Sequence, residues 1–410
     1  MPISPFRTAA LAAAMLPALA AAAPLTLDQA IDLAVQRSAA VQAAQAGARG
    51  AAEATHAAGQ LPDPMLSVGI DNLPLSGADR FSTARDPMTM KRLGISQEWL
   101  SSGKRQARRA AAQAQTDREA SMALAAAADA RLQAAWAFID AYYAGQALRL
   151  GTVNERQAQE ALETARARLA AAAANGPEVL ALASAHGLAA DEAAELRQLQ
   201  AAAQIALLRW AGVQPEDLAP PALPTVTEPE FVAAHPAVVA ARRDLELSSR
   251  EAAVTRTMRT PNWTWALSYG QRSGHPDMVS FGVSIPLPVA PSQRQDRETA
   301  ASLALVDKSE AALAEATRAA SAEYQTLSGD ARRLADRIMR YESAVVVPAQ
   351  QRTAAALASY RANQGTLTAL FEARHASLEA QRKLLALQRE RARTEAQLAF
   401  KPLVASGATR

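Results

Sequence analysis

Five histidines, two neighbouring methionines and scattered carboxylates are the side chains through which this chain could do chemistry. His56, His186, His235, His275 and His375 stand far apart. None belongs to an HxxxH or HExxH spacing that would bring two ligands onto one helix face around zinc. Met88 and Met90 offer soft sulfur of the kind that suits Cu(I), but two sulfurs in a loop are more simply loop composition, and no metal site is assigned. No serine sits in a nucleophile-elbow context and no glycine-rich loop is built to cradle phosphate. The residues therefore argue against an enzyme and imply no cofactor. The net charge is +3 with signs alternating along the chain, which leaves no basic stripe for a nucleic-acid backbone.

The elements that position these groups are written in the composition. Half of the 410 residues are apolar but only 4% are aromatic. Alanine makes up much of the difference, a profile suited to long, closely packed helices. Residues 1–23 read as a signal peptide: Arg7 supplies a positive start, Ala9 to Leu19 an apolar stretch, and Ala18 to Ala23 small residues for cleavage. The mature protein is expected to be exported. It contains no cysteine, so stability must come from packing or assembly, and no cysteine is present for lipidation. No apolar run of about 18 residues follows the signal, so a membrane crossing would have to be made of β-strands.

The chain also repeats itself. Ser38-Ala39-Ala40-Val41 lines up with His235-Pro236-Ala237-Val238, Pro62 with Pro261, Gly94-Ile95-Ser96 with Gly282-Val283-Ser284, and Gly176 with Gly365. The shifts are 197, 199, 188 and 189 residues, as expected of one duplication with a single length difference in the first hairpin loop. The reading is a first repeat over 24–216, a proline-rich linker over 217–230, a second repeat over 231–402 and a tail over 403–410.

Each repeat is expected to hold a helix of about 30 residues, two short strands, a very long helix and a return helix. Trp263, Trp265, Leu267 and Tyr269 alternate with small and polar residues, and so do Val279, Phe281, Val283 and Ile285. Leu66, Val68, Ile70, Leu93 and Ile95 repeat the pattern more weakly. A period of two places one face in an apolar medium. Trp263, Trp265, Tyr269 and Phe281 read as lipid-facing, with Trp263 and Tyr269 suited to an interfacial girdle. A sandwich strand would show the same alternation, but this chain has no second sheet to cover one. The long helices, of some 70 residues, would each span roughly 105 Å. Leu132, Trp136, Ile139 and Tyr143, then Leu334, Ile338, Tyr341 and Val345, form four-three seams, and Phe371, Leu378 and Leu385 repeat every seven. Pro348 predicts a kink or local break. Gly176 and Gly365 mark the helix reversals, where tolerance of positive φ is useful.

Four strands cannot close into a membrane barrel, which needs about eight, and an open edge in lipid leaves backbone groups unpaired. Three copies would supply twelve strands and twelve helical rods. Here the sequence resembles the TolC family of outer-membrane efflux proteins. The residues that carry the resemblance are Leu61-Pro62-Asp63-Pro64, Gly94-Ile95-Ser96-Gln97 with Ser102-Gly103-Lys104-Arg105, and the segments from Ala174 to Leu180 and from Tyr360 to Leu367. The fold class implied is mainly α with a small transmembrane β part: a trimeric 12-stranded barrel in the outer membrane continued by a long periplasmic α-helical barrel. The resemblance also implies an exit duct served by a periplasmic adaptor and an inner-membrane pump. Pro64-Met65-Leu66, Asp71 to Pro74, Arg85 to Met90 and Gln97-Glu98 are most similar to the heavy-metal branch, served by resistance-nodulation-division (RND) pumps. Drug or polypeptide export, or a non-spanning periplasmic coiled-coil protein, are the alternatives.

In that family the second tip commonly carries two acids at the closed mouth. Here Glu372 is one, while the other position holds Ala369. Glu178, near the first tip, is a second candidate for the gate, and Arg374 and His375 could instead pair with Glu372. Gly176, Pro177, Gly365 and Thr366 form the tip turns expected to meet the adaptor.

Overall fold

The computed structural model describes residues 24–171, 175–362 and 364–403. The segment read as a signal peptide, residues 404–410 of the tail, and Ala174 and Asn363 at the tips lie outside the described residues.

The chain opens with α1 (Leu27–Arg37) and α2 (Ala39–Ala58), followed by β1 (Met65–Asp71) and β2 (Met90–Trp99). Next come α3 (Ser102–Ala170) and its return helix α4 (Gly176–Ala211). The order then recurs as α5 (Glu228–Ala233), α6 (Pro236–Thr257), β3 (Trp263–Gln271), β4 (Met278–Ser284) and α7 (Gln295–Tyr341). A π-helical turn (Glu342–Val346), α8 (Val347–Arg361) and the return helix α9 (Leu367–Phe400) complete it.

The 30-residue helix expected at the start of each repeat is two helices. Ser38 breaks the first: its extended backbone and its hydroxyl, which accepts from the Val41 N–H, restart the chain as α2. In the second repeat the break falls at Ala234–His235, where Pro236 disfavours a helical residue before it. Capping boxes open α1 at Thr26–Gln29 and α5 at Thr227–Glu230. The second box puts the last residues of the proline-rich segment inside a helix.

Matching positions make matching contacts. The hydroxyls of Thr55 and Thr116 lie 2.9 Å apart between α2 and α3, and those of Ser248 and Ser309 lie 3.0 Å apart between α6 and α7. Both pairs span 61 residues.

α3 runs 69 residues without a break, about 104 Å. It packs against α1, α2, α4, α6 and α9. Alanine is the commonest buried apolar residue among the described residues, which lets the rods approach closely. The largest core gathers Leu27 and Ile31 of α1, Phe138 and Ile139 of α3, Leu207 of α4 and Ala396 of α9. Gly151 of α3 is covered by Leu196, so a methyl group there would collide with it.

The second rod is interrupted where Pro348 predicts. A proline lacks the N–H for the i−4 carbonyl and clashes with it. The chain answers just upstream with the π turn, in which the Val347 N–H reaches back five residues to Glu342. The extra residue advances the seam by one place. Leu334 and Ile338 are buried as the four-three spacing expects, but Val346 is buried in place of Val345, which is 39% exposed.

Candidate functional site: the sheet and the helical tip

The four strands form one antiparallel sheet in the order β1-β2-β3-β4. Register fixes the two faces. Leu66 pairs with Ile95, Ile95 with Leu267 and Leu267 with Phe281; Val68, Leu93, Tyr269 and Val279 form the next row. One face is thus a ladder of large apolar side chains, and Val68, Val279 and Phe281 are each at least 70% exposed. Trp263, Tyr269 and Phe281 lie exposed on this face, and Trp265 is half-buried on it. The opposite face carries Ser67, Gly94, Ser96, Ser268, Ser280 and Gly282. Among the described residues no strand pairs with the outer edge of β1 or of β4.

Both ends of the apolar face are marked by amphipathic rings. Trp99 pairs with Trp263 at the helix-proximal end, ring centroids 5.8 Å apart. Near the loop end the Tyr269 hydroxyl donates to Asp277. Trp99 was missed in the sequence because Gln97 and Glu98 precede it and blur the alternation. Gln97 lies on the apolar face but directs its amide to the Pro62 carbonyl, 2.6 Å away. Below the sheet, Glu98 accepts from the Asn262 amide at 2.7 Å, and Asn262 accepts from the buried Lys104 ammonium at 2.6 Å. Burial, with the nearby Arg108, lowers the Lys104 pKa against the pull of Glu98.

At the far end of the rods the α3–α4 and α8–α9 hairpins pack tip to tip. Leu162 and Ala165 of α3, Leu182 of α4 and Leu367 and Leu370 of α9 share one cluster, with Tyr360 and Phe371 against it. Asn175 and Thr366 cap the two return helices. Contrary to the expectation for the helix reversals, neither Gly176 nor Gly365 has positive φ. Gly176 is the first residue of α4, followed by Pro177. Gly365 instead lets the backbone pass close to α8: a Cβ there would stand 3.2 Å from the Ser359 Cβ.

Glu372 is exposed on α9 and makes no hydrogen bond or ion pair among the described residues. His375, offered as a partner for it, stacks on Phe371 one turn away instead, with ring planes 9° apart. Glu178 lies in the first turn of α4, where the helix dipole favours an acid. Met88 is exposed, whereas Met90 packs over Gly270, so the two methionines do not act as a pair. No group of three His, Asp or Glu side chains among the described residues is arranged to hold a metal ion. No described helix is long and apolar enough to cross a membrane.

No protein-family model and no curated protein sequence matches the chain. Solved structures do. A membrane protein from Pseudomonas aeruginosa superposes with a TM-score of 0.76 at 16% identity, over 94% of this chain and 92% of that one. The outer membrane protein VceC from Vibrio cholerae gives 0.72 at 19% identity, over 92% and 96%. CusC, solved in a study of folding and transmembrane channel formation, gives 0.74 at 15% identity, over 92% and 91%. Long helical rods ending in a four-stranded antiparallel sheet, over nearly the full length of each relative, give this chain the TolC-like fold.

Proposed function

We propose that the chain is the outer-membrane exit channel of a tripartite efflux system, assembled as a homotrimer. The observation that carries this reading is the sheet: one face exposes a continuous apolar ladder bounded by aromatic rings, and both edges are unpaired among the described residues. Four strands leave lipid-exposed edges, which a membrane does not tolerate. Joining β4 of one copy to β1 of the next, three times, removes every edge and makes a twelve-stranded barrel. The polar face then lines the pore, and the rods continue it into the periplasm. A non-spanning coiled-coil role leaves the exposed apolar face without purpose.

In this reading residues 1–23 direct export, and outer-membrane lipid surrounds the barrel. The tips around Gly176, Pro177, Gly365 and Thr366 meet a periplasmic adaptor that links the duct to an RND pump. Glu372, exposed and without an ion-pair partner among the described residues, lines the mouth and repels its two symmetry mates, with Glu178 as a second ring. The heavy-metal resemblance makes metal ions the favoured cargo. Three copies in outer-membrane fractions, together with ion currents in planar bilayers, are the expected result. A mature protein found only in the soluble periplasm overturns the reading. For the cargo, deletion should raise sensitivity to copper, zinc or cobalt; unchanged metal sensitivity with raised drug sensitivity would move the assignment to drug efflux.

A further inference from the structure

The polar face of the sheet is nearly uncharged, and its charges are confined to its two ends. Between those ends it carries serine, glycine, threonine and alanine, with Met65, Met90 and Met278 as its only large apolar side chains among the described strand residues. Glu98, at the helix-proximal end, is tied to Asn262. At the loop end stand one acid and two arginines: Asp71, Arg92 and Arg272. Arg92 lies in register between Gly69 and Gly270, so neither neighbouring strand covers it. Its Nη2 lies 2.6 Å from Asp71, and both side chains remain partly exposed. Arg272 is one residue past β3, and its Nη2 donates to the Pro276 carbonyl at 3.4 Å. Its Nε is buried and has no hydrogen-bond partner among the described residues. One carboxylate therefore neutralises one guanidinium, and the second is left over.

We propose that this row is an anion-selective collar at the outer mouth of the pore, in which Arg92 and Arg272 outweigh Asp71 and favour small anions over cations in passive flow, a bias that a metal-ion cargo crosses only under the drive of the pump. The proposal rests on the trimeric channel, where symmetry turns the row into a ring of three acids and six arginines. A ring of like charge is a selectivity element because field lines concentrate in a low-dielectric wall. Its reach is set by salt, about 10 Å at 0.1 M and 3 Å at 1 M. Lys91 is one residue from Arg92 but belongs to the apolar face, beside Ile70 and Gln271. It lies outside the pore and serves as the control.

The test is the reversal potential of the full-length protein in planar bilayers under a potassium chloride gradient near 0.1 M. Arg92→Gln and Arg272→Gln should each shift it toward potassium, Asp71→Asn toward chloride, and Lys91→Gln should leave it at the wild-type value. All shifts should shrink at 1 M salt. Conducting channels in which neither arginine variant moves the reversal potential overturn the collar while leaving the channel reading intact. An equal shift from Lys91→Gln also overturns it, since the face assignment would then be wrong. Wild-type protein that inserts but carries no current overturns the channel reading itself.

Discussion

Arg168 of α3 lies over the Tyr360 ring of α8, its guanidinium carbon 5.8 Å from the centroid and its Nη1 3.3 Å from the hydroxyl. This contact joins the two helical hairpins at their tips, next to the Leu162–Leu370 cluster. Tyr360→Phe keeps the cation–π contact and loses the hydrogen bond, a loss of about 1 kcal/mol. Tyr360→Ala loses both together with the packing. Single-channel conductance should rise slightly in the first and clearly in the second. Identical currents in all three proteins would remove this contact from control of the mouth.

Glu372 supplies an independent test at the same end. If the acid repels its symmetry mates at the mouth, Glu372→Gln should change conductance more at low salt than at 1 M, where screening shortens the reach of a charge to about 3 Å. Currents unaltered at both salts would leave Glu372 as a solvated surface acid.

His235 gives a pH dependence with a definite sign. Its Nδ1 accepts from the Ala237 N–H, and its Nε2 faces Glu323, 3.2 Å away. Burial, reinforced by the Lys401 charge, holds its pKa below the ordinary histidine value against the pull of Glu323. Burial opposes ionisation of Glu323 as well, but the hydrogen bond and charge of Lys401 carry its pKa below the usual carboxylate range. Both groups bind protons more readily in the unfolded chain. Their stabilising effect is complete above the unfolded values and is lost as pH falls, first below about 6.5 and then below about 4.5. His235→Ser, which copies the Ser38 cap of the first repeat, should flatten the upper part of this dependence in melting temperature. Retention of the full slope between pH 6.5 and 5 would assign it to other groups.

The hydroxyl pairs between the rods test local coupling. Thr55→Val alone should cost about 1 kcal/mol. The double change with Thr116→Val should cost less than the sum of the singles, because either single change already removes the contact between the two hydroxyls, each of which also bonds a carbonyl of its own helix. Strict additivity in thermal unfolding would show that the 2.9 Å approach contributes nothing of its own.

Pro348→Ala restores the missing donor, and an unbroken α-helix would return Val345 to the seam. The chain has no cysteine, so single substitutions report cleanly. In the natural background Val345→Cys should label quickly and Val346→Cys slowly; with Pro348→Ala the order should reverse. Unchanged labelling would mean that the packing of α9, rather than the proline, imposes the π turn.

Much of the fold was legible because its signals are periodic. Alternation in Trp263–Tyr269 and Val279–Ile285 placed the strands on their correct faces, and the four-three spacing found Leu132, Ile139, Leu334 and Ile338. What failed was decided by single contacts. Ser38 breaks a helix through its own hydroxyl, and Val346 replaces Val345 because of one inserted residue. Gly365 is needed for its closeness to Ser359 rather than for φ. The charges at the loop end were hidden for another reason: alternation alone separates Lys91 from Arg92, but only strand register shows that Arg92 lies between two glycines, Gly69 and Gly270.

The π turn gives the two rods of one protomer different mechanical characters. α3 carries an uninterrupted ladder of hydrogen bonds along its whole length, whereas the α7–α8 rod loses one such rung beside Pro348. Stiffness is therefore unequal between two arms of similar length. A force applied at the tips bends the second arm first, at residues 342–348, while the first behaves as a strut.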